Sequence, residues 1–90
     1  MQLWFANHRT ETFSIALELE WAHDDWRRVA SIDNFGGFVH RDRYRPDGKH
    51  HARHEPIFHS DDPDQAVAWA TTHFMEHVTR YVTEFRLRDA

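Results

Sequence analysis

A switch of hydrophobic period at Asp62-Pro63 constrains this chain more than any other feature. Beyond it, Val67, Ala70, Phe74, Val78, Tyr81 and Phe85 recur at steps of 3, 4, 4, 3 and 4, an apolar stripe along one face of a long helix. Before it the period is two. Phe13, Ile15, Leu17, Leu19 and Trp21 alternate with Ser14, Ala16, Glu18 and Glu20, the pattern of a half-buried antiparallel strand. A striped helix and one-sided strands can bury their apolar faces only against each other. The expectation is one α+β domain over residues 1–90: an antiparallel four-stranded meander with one long C-terminal helix packed across it.

Turn chemistry places the element boundaries. Strands are expected over Thr12–Trp21, Trp26–Asp33, Phe38–Arg45 and Lys49–His59, and residues 2–6 either lead the sheet as a fifth strand or fold back onto the core. Gly36 and Gly37 allow a tight reversal. Arg45-Pro46-Asp47-Gly48 is a stronger signal, with Pro suited to the second position of a type I turn and Gly to the left-handed position that follows. Asp62 is the expected helix cap, Pro63 suits the first helical position, and Gln65 stands where a capping-box partner belongs.

Ninety residues without cysteine allow neither a disulfide staple nor a thiolate ligand, which fits a reducing cytoplasm. No apolar run approaches the roughly 18 residues of a membrane span. A domain this small gains from self-association, and Trp69, off the helix stripe, either covers the end of the sheet or marks a contact in a homo-oligomer. The net charge of -4 argues against a general nucleic-acid coating protein.

Against that acidic background, residues 38–59 hold five of the nine histidines together with Arg41, Arg43, Arg45, Lys49 and Arg53. If Pro46, Asp47 and Gly48 form a three-residue loop, Tyr44 faces His50, Asp42 faces Ala52 and His40 faces His54, whereas a two-residue Asp47-Gly48 loop would shift the pairing by one; the first register is preferred. Phe38, His40, Asp42, Tyr44, His50 and His54 then share one face. Phe38 and Tyr44 should turn that face toward the helix, leaving Arg41, Arg43, Arg45 and Arg53 outward as a phosphate track. On the helix, His73, His77, Arg80 and Glu84 run beside the apolar stripe at steps of 4, 3 and 4.

Three chemistries fit these residues. In the first, His40 with His54 or His77 acts as general acid and base on a phosphodiester, because imidazole titrates near pH 6.5. Arg41, Arg43, Arg45, Arg53 or Arg80 would hold phosphate, Tyr44 would stack a base, and Asp42 and His73 would orient the imidazoles. RNA supplies its own 2′-hydroxyl, so no cofactor or metal is required. In the second, His73 and His77 bind zinc with His40 or Asp42. In the third, the histidines only satisfy hydrogen bonds in a non-catalytic adaptor that binds protein or nucleic acid. Metal-free action on RNA is the preferred expectation.

Asp33-Asn34-Phe35-Gly36-Gly37-Phe38-Val39-His40-Arg41-Asp42, followed by Pro-Asp-Gly and a long C-terminal helix, resembles the small TumE-like toxins of bacterial toxin and antitoxin pairs. Ile32 and Asp42 depart from that pattern. The resemblance implies an inhibitory toxin paired with an antitoxin protein, with RNA as target and with importance carried by Asp33, His40 and Arg41.

Overall fold

A computed structural model describes residues 2–8, 12–35, 38–60 and 62–89, the first group by its backbone. Five strands form one antiparallel sheet in chain order: β1 (Gln2–His8), β2 (Phe13–Ala22), β3 (Asp25–Asp33), β4 (Val39–Tyr44) and β5 (His50–Phe58). Helix α1 (Pro63–Leu87) crosses β2 and β3. The α+β meander with a C-terminal helix is therefore present, and the leading segment is the edge strand β1, paired from Gln2↔Glu18 to His8↔Phe13. Gly36, Gly37, residues 9–11 and Asp61 lie outside the described residues.

The odd-numbered face of β2 builds the core, as its alternation requires. Phe13, Ile15 and Leu17 are inaccessible and meet Ile32 of β3 and Ala70, Phe74 and Phe85 of α1. Trp21 sets its edge against Phe85 at 5.7 Å. Each such side chain contributes about 1.5–3 kcal/mol through burial. Trp69 stacks on Phe58 at 4.6 Å and so covers the end of the sheet.

The helix starts where Asp62 and Pro63 place it, with one change in its cap. Asp62 accepts from the Asp64 N–H at 3.0 Å, but Gln65 does not reach back to the Asp62 backbone. Ser60 stands between them: its hydroxyl accepts from the Asp62 N–H at 3.1 Å and donates to Gln65 Oε1 at 2.8 Å. At the β4–β5 turn, Gly48 has φ 88 and its N–H donates to the Arg45 carbonyl.

The assignment of hairpin faces is reversed. Ile15 pairs with Ile32, and Ile32 pairs with Arg41; likewise Leu17 pairs with Ala30, and Ala30 with Arg43. Cross-strand partners point the same way, so Arg41 and Arg43 lie on the helix-covered face and His40 and Asp42 on the open one. Neither aromatic outweighs the buried rows of β2 and β3. Phe38 precedes β4 and is 45% exposed, while the Tyr44 hydroxyl finds Ser31 at 3.2 Å on the open side.

Two guanidinium groups beneath a helix need partners, and Glu55 supplies them. It accepts from Arg43 through two bonds of 2.8 and 2.9 Å and from Arg41 Nε at 3.2 Å. Arg41 Nη1 also donates to Tyr81 Oη at 3.0 Å. Burial pushes the Glu55 carboxyl up, but the bonds from Arg43 and Arg41 outweigh it and hold the group below its ordinary range. A depressed carboxylate stabilises the fold above its unfolded pKa, and that contribution is lost as pH falls through the folded value. Glu55→Gln should therefore cost about 1–2 kcal/mol at neutral pH, against a few tenths for a solvent-facing pair. Urea denaturation at pH 7 and again below about pH 4 should show the gap between the two proteins closing on the acid side.

Candidate functional site

The open face of β3, β4 and β5 gathers three imidazoles and two carboxylates. Asp33 and His40 are cross-strand partners at the end of β3, where the strand turns away. His40 is 3% exposed and Asp33 9%. The His40 Nδ1 lies 3.3 Å from the Phe38 carbonyl, which can only accept, so Nδ1 carries a proton. Its Nε2 is 2.8 Å from Asp33 Oδ1, and that contact needs one further proton, held by either partner. Burial raises the Asp33 pKa, while the charge of His40 and the Phe35 N–H at 3.0 Å oppose the rise. The pair therefore shares a proton that water reaches poorly.

Asp42 and His54 adjoin this dyad through an irregularity in β5. The pairing near the turn is as expected, Arg45 N donating to the Lys49 carbonyl and Tyr44 facing His50. Farther out the expected register fails: His40 faces Pro56, and Arg43, not Asp42, faces Ala52. Between Arg41↔Glu55 and Arg43↔Ala52 the fifth strand carries one extra residue, so Arg53 and His54 together oppose Asp42. Here His54 takes φ 54, a left-handed conformation uncommon outside glycine, and its N–H donates to Asp42 Oδ1 at 2.7 Å.

The bulge brings the His54 ring edge-on to His40, with centroids 5.0 Å apart, and its Nδ1 to 4.0 Å from Asp42 Oδ1. His40, Asp42 and His54 can each offer a ligand atom with all three atoms within 4.8 Å of one another. His50 Nε2 approaches the other Asp42 oxygen at 3.6 Å, and the Tyr44 ring lies tilted against His50 with centroids 4.7 Å apart. His40 and Asp42 lie mostly covered and His54 is exposed, so the cluster is open on one side.

The expected acid–base set is divided by the sheet. His40 and His54 stand on the open face, whereas His77 looks across α1 toward Arg41, Arg43 and Arg80. A zinc site joining His73 and His77 to His40 or Asp42 is excluded by the same separation. His73 and His77 stack on each other at 4.5 Å; His73 Nε2 engages Tyr81 Oη at 2.8 Å, and His77 Nδ1 donates to the His73 carbonyl at 2.9 Å. Arg45 reaches the Arg88 carbonyl at 3.4 Å, and Arg53 is exposed in the bulge, so no continuous outward track of arginines exists.

Glu55 and the Tyr81 hydroxyl were not singled out by sequence reasoning. Glu55 had a readable signal, as the one acid in a basic strand. Tyr81 counted only toward the apolar stripe.

Together these features define a small α+β domain with a histidine–carboxylate cluster on the open face of its sheet. The chain belongs to the family described as a domain of unknown function (DUF7718), whose model matches residues 2–90. No curated protein and no solved structure matches it. Among the described residues, no helix is long and apolar enough to cross a membrane.

The backbone at His54 is separable from its side chain. His54→Ala keeps a Cβ in the left-handed conformation and His54→Gly removes it, while both keep the N–H bond to Asp42. The glycine variant should be the more stable of the two by about 1 kcal/mol, read from urea midpoints. Equal midpoints would show that the bulge carries no such strain.

Proposed function

We propose that this protein binds one divalent transition-metal ion through His40, Asp42 and His54 and uses it to act on a phosphate ester of RNA. The observation that carries the reading is the convergence of two imidazoles and a carboxylate to within 4.8 Å on an accessible face. Imidazole and carboxylate ligands suit zinc and its neighbours. Electrostatics favours the same reading. A phosphate brought to this face without a metal meets Asp33 and Asp42, while Arg41 and Arg43 are turned to the other side. A divalent cation at the cluster removes that conflict.

Asp33 completes the arrangement. If His40 coordinates through Nδ1, it gives up only its 3.3 Å contact with Phe38 and keeps Nε2–H on Asp33. A carboxylate behind a ligating histidine orients the ring and raises its basicity. Three protein ligands leave positions for water or substrate, the condition for Lewis-acid hydrolysis. Phe35 and Phe38, each 45% exposed at the same end of the sheet, offer faces on which a base can stack. RNA as the target also agrees with the toxin-type resemblance of residues 33–42.

A second reading keeps the metal-free acid–base chemistry, favoured by the proton shared between Asp33 and His40 with the His54 ring beside it. The two diverge on chelation. Protein purified without a metal column and stripped with EDTA should regain one zinc per chain in equilibrium dialysis. His40→Ala and His54→Ala should abolish that site, Asp33→Asn should weaken it about 10–100-fold, and His73→Ala should leave it intact. Cleavage of a single-stranded oligoribonucleotide should need the metal. Substoichiometric zinc in the wild type overturns the metal site, and cleavage that survives EDTA transfers the assignment to the acid–base pair.

A further inference from the structure

The other side of the sheet holds a second group of polar side chains that the proposed metal site does not use. Arg41 and Arg43 of β4 and His73, His77, Arg80, Tyr81 and Glu84 of α1 line a cleft of about 90 Å³. That space equals about three water molecules at roughly 30 Å³ each. It has room for a tetrahedral oxyanion and is open to solvent on one side.

The protein's own bonds arrange these donors without exhausting them. Glu55 takes Nε and Nη2 of Arg43 and Nε of Arg41, and Tyr81 takes Nη1 of Arg41. Among the described residues, Nη2 of Arg41 and Nη1 of Arg43 have no protein acceptor. Tyr81 Oη accepts from Arg41, and the same hydroxyl lies 2.8 Å from His73 Nε2. His77 gives Nδ1–H to the His73 carbonyl; among the described residues its Nε2 has no protein partner, and it donates to an anion only when the ring carries a second proton. Among the described residues Arg80 is tied only to Glu84, at 3.1 Å, and its side chain is 76% exposed, with room to swing over the opening.

Charge at the cleft is unbalanced toward the positive. Arg41, Arg43, Arg80 and Arg88 are answered by Glu55 and Glu84. Neighbouring groups feel the excess. The pKa of His73 is lowered by burial and then by His77 and Arg41; that of Arg88 by burial and then by Arg43; and that of His51 by burial and then by Arg88 and Arg43. In a protein of net charge -4, this is a local concentration of cations held together by the fold.

We infer that the cleft between β4 and α1 is a binding site for a phosphoryl group, held by the free guanidinium nitrogens of Arg41 and Arg43 and closed by His77 and Arg80. The fork of an arginine matches phosphate geometry, and a charge-assisted bond is about twice as strong as a neutral one. Arg41 and Arg43 are preset by Glu55, so little rotamer freedom is lost on binding. The site stands on the opposite side of the sheet from His40, Asp42 and His54, so its existence is independent of the metal.

The test is amide chemical-shift titration of the full chain with inorganic phosphate and, in a parallel arm, with a nucleoside 5′-monophosphate, at ionic strength held constant with chloride. Saturable shifts at residues of β4 and at residues 73–84 are expected. Arg80→Gln and His77→Gln alter partly or fully exposed positions, and each should weaken binding about tenfold or more while leaving the thermal midpoint near that of the wild type. Equal affinity for both ligands identifies the phosphoryl group alone as what is bound; at least tenfold tighter binding of the nucleotide identifies an ester as the natural source. Shifts that do not saturate, that chloride reproduces, or that survive in both variants overturn the site.

Discussion

A strand offers two faces, and in this protein only one of them can meet the helix. Phe13, Ile15 and Leu17 settle which, because their burial against Phe74 and Phe85 outweighs anything β4 has to bury. Antiparallel pairing then transmits the decision without further choice: Ile32 carries Arg41 under the helix, and Ala30 carries Arg43. A one-residue slip would exchange every side chain between faces. The same register puts Asp33 opposite His40 on the open side. One apolar row two strands away thus fixes the placement of both polar groups.

Burying two arginines has consequences that account for several otherwise isolated residues. Glu55 gives the guanidinium groups their carboxylate, Tyr81 gives a buried hydroxyl, and the hydroxyl in turn engages His73. Unpaired charge in such a place would cost several kcal/mol. The network therefore holds β5 against β4 and both against α1, and its surplus of cations makes the cleft attractive to an anion.

The open face follows a different logic. Near the turn, Pro46 and Gly48 hold the hairpin in the pairing that turn chemistry implies, but an extra residue at His51 already breaks that pairing, and the bulge at Arg53 and His54 shifts it again. A bulge bends its strand and re-aims its side chains. Here it turns His54 toward His40 and Asp42, at the expense of a left-handed backbone. Strain of this kind persists where surrounding structure enforces it, and the His54 N–H bond to Asp42 is one such enforcement.

Much of this architecture was legible in the chain alone. Period two, period 3.6, Asp62-Pro63 and Arg-Pro-Asp-Gly are local signals, and they located the sheet, the helix and the hairpin because hydrogen bonding along an element depends on neighbours in sequence. The concentration of His40, Asp42, His54 and the arginines between residues 38 and 59 was equally visible, as was their division into two sets by alternation. Which set faced the helix was not. Phe38 and Tyr44 suggested one answer, and the apolar rows of β2 and β3, two strands away, imposed the other. Glu55 and the Tyr81 hydroxyl acquire meaning only once two arginines lie between them, and His54 reaches Asp42 only through the bulge at Arg53 and His54. Periodicity determined which residues travel together; long-range packing decided what they meet, because burial is a property of the assembled layers and not of any one strand.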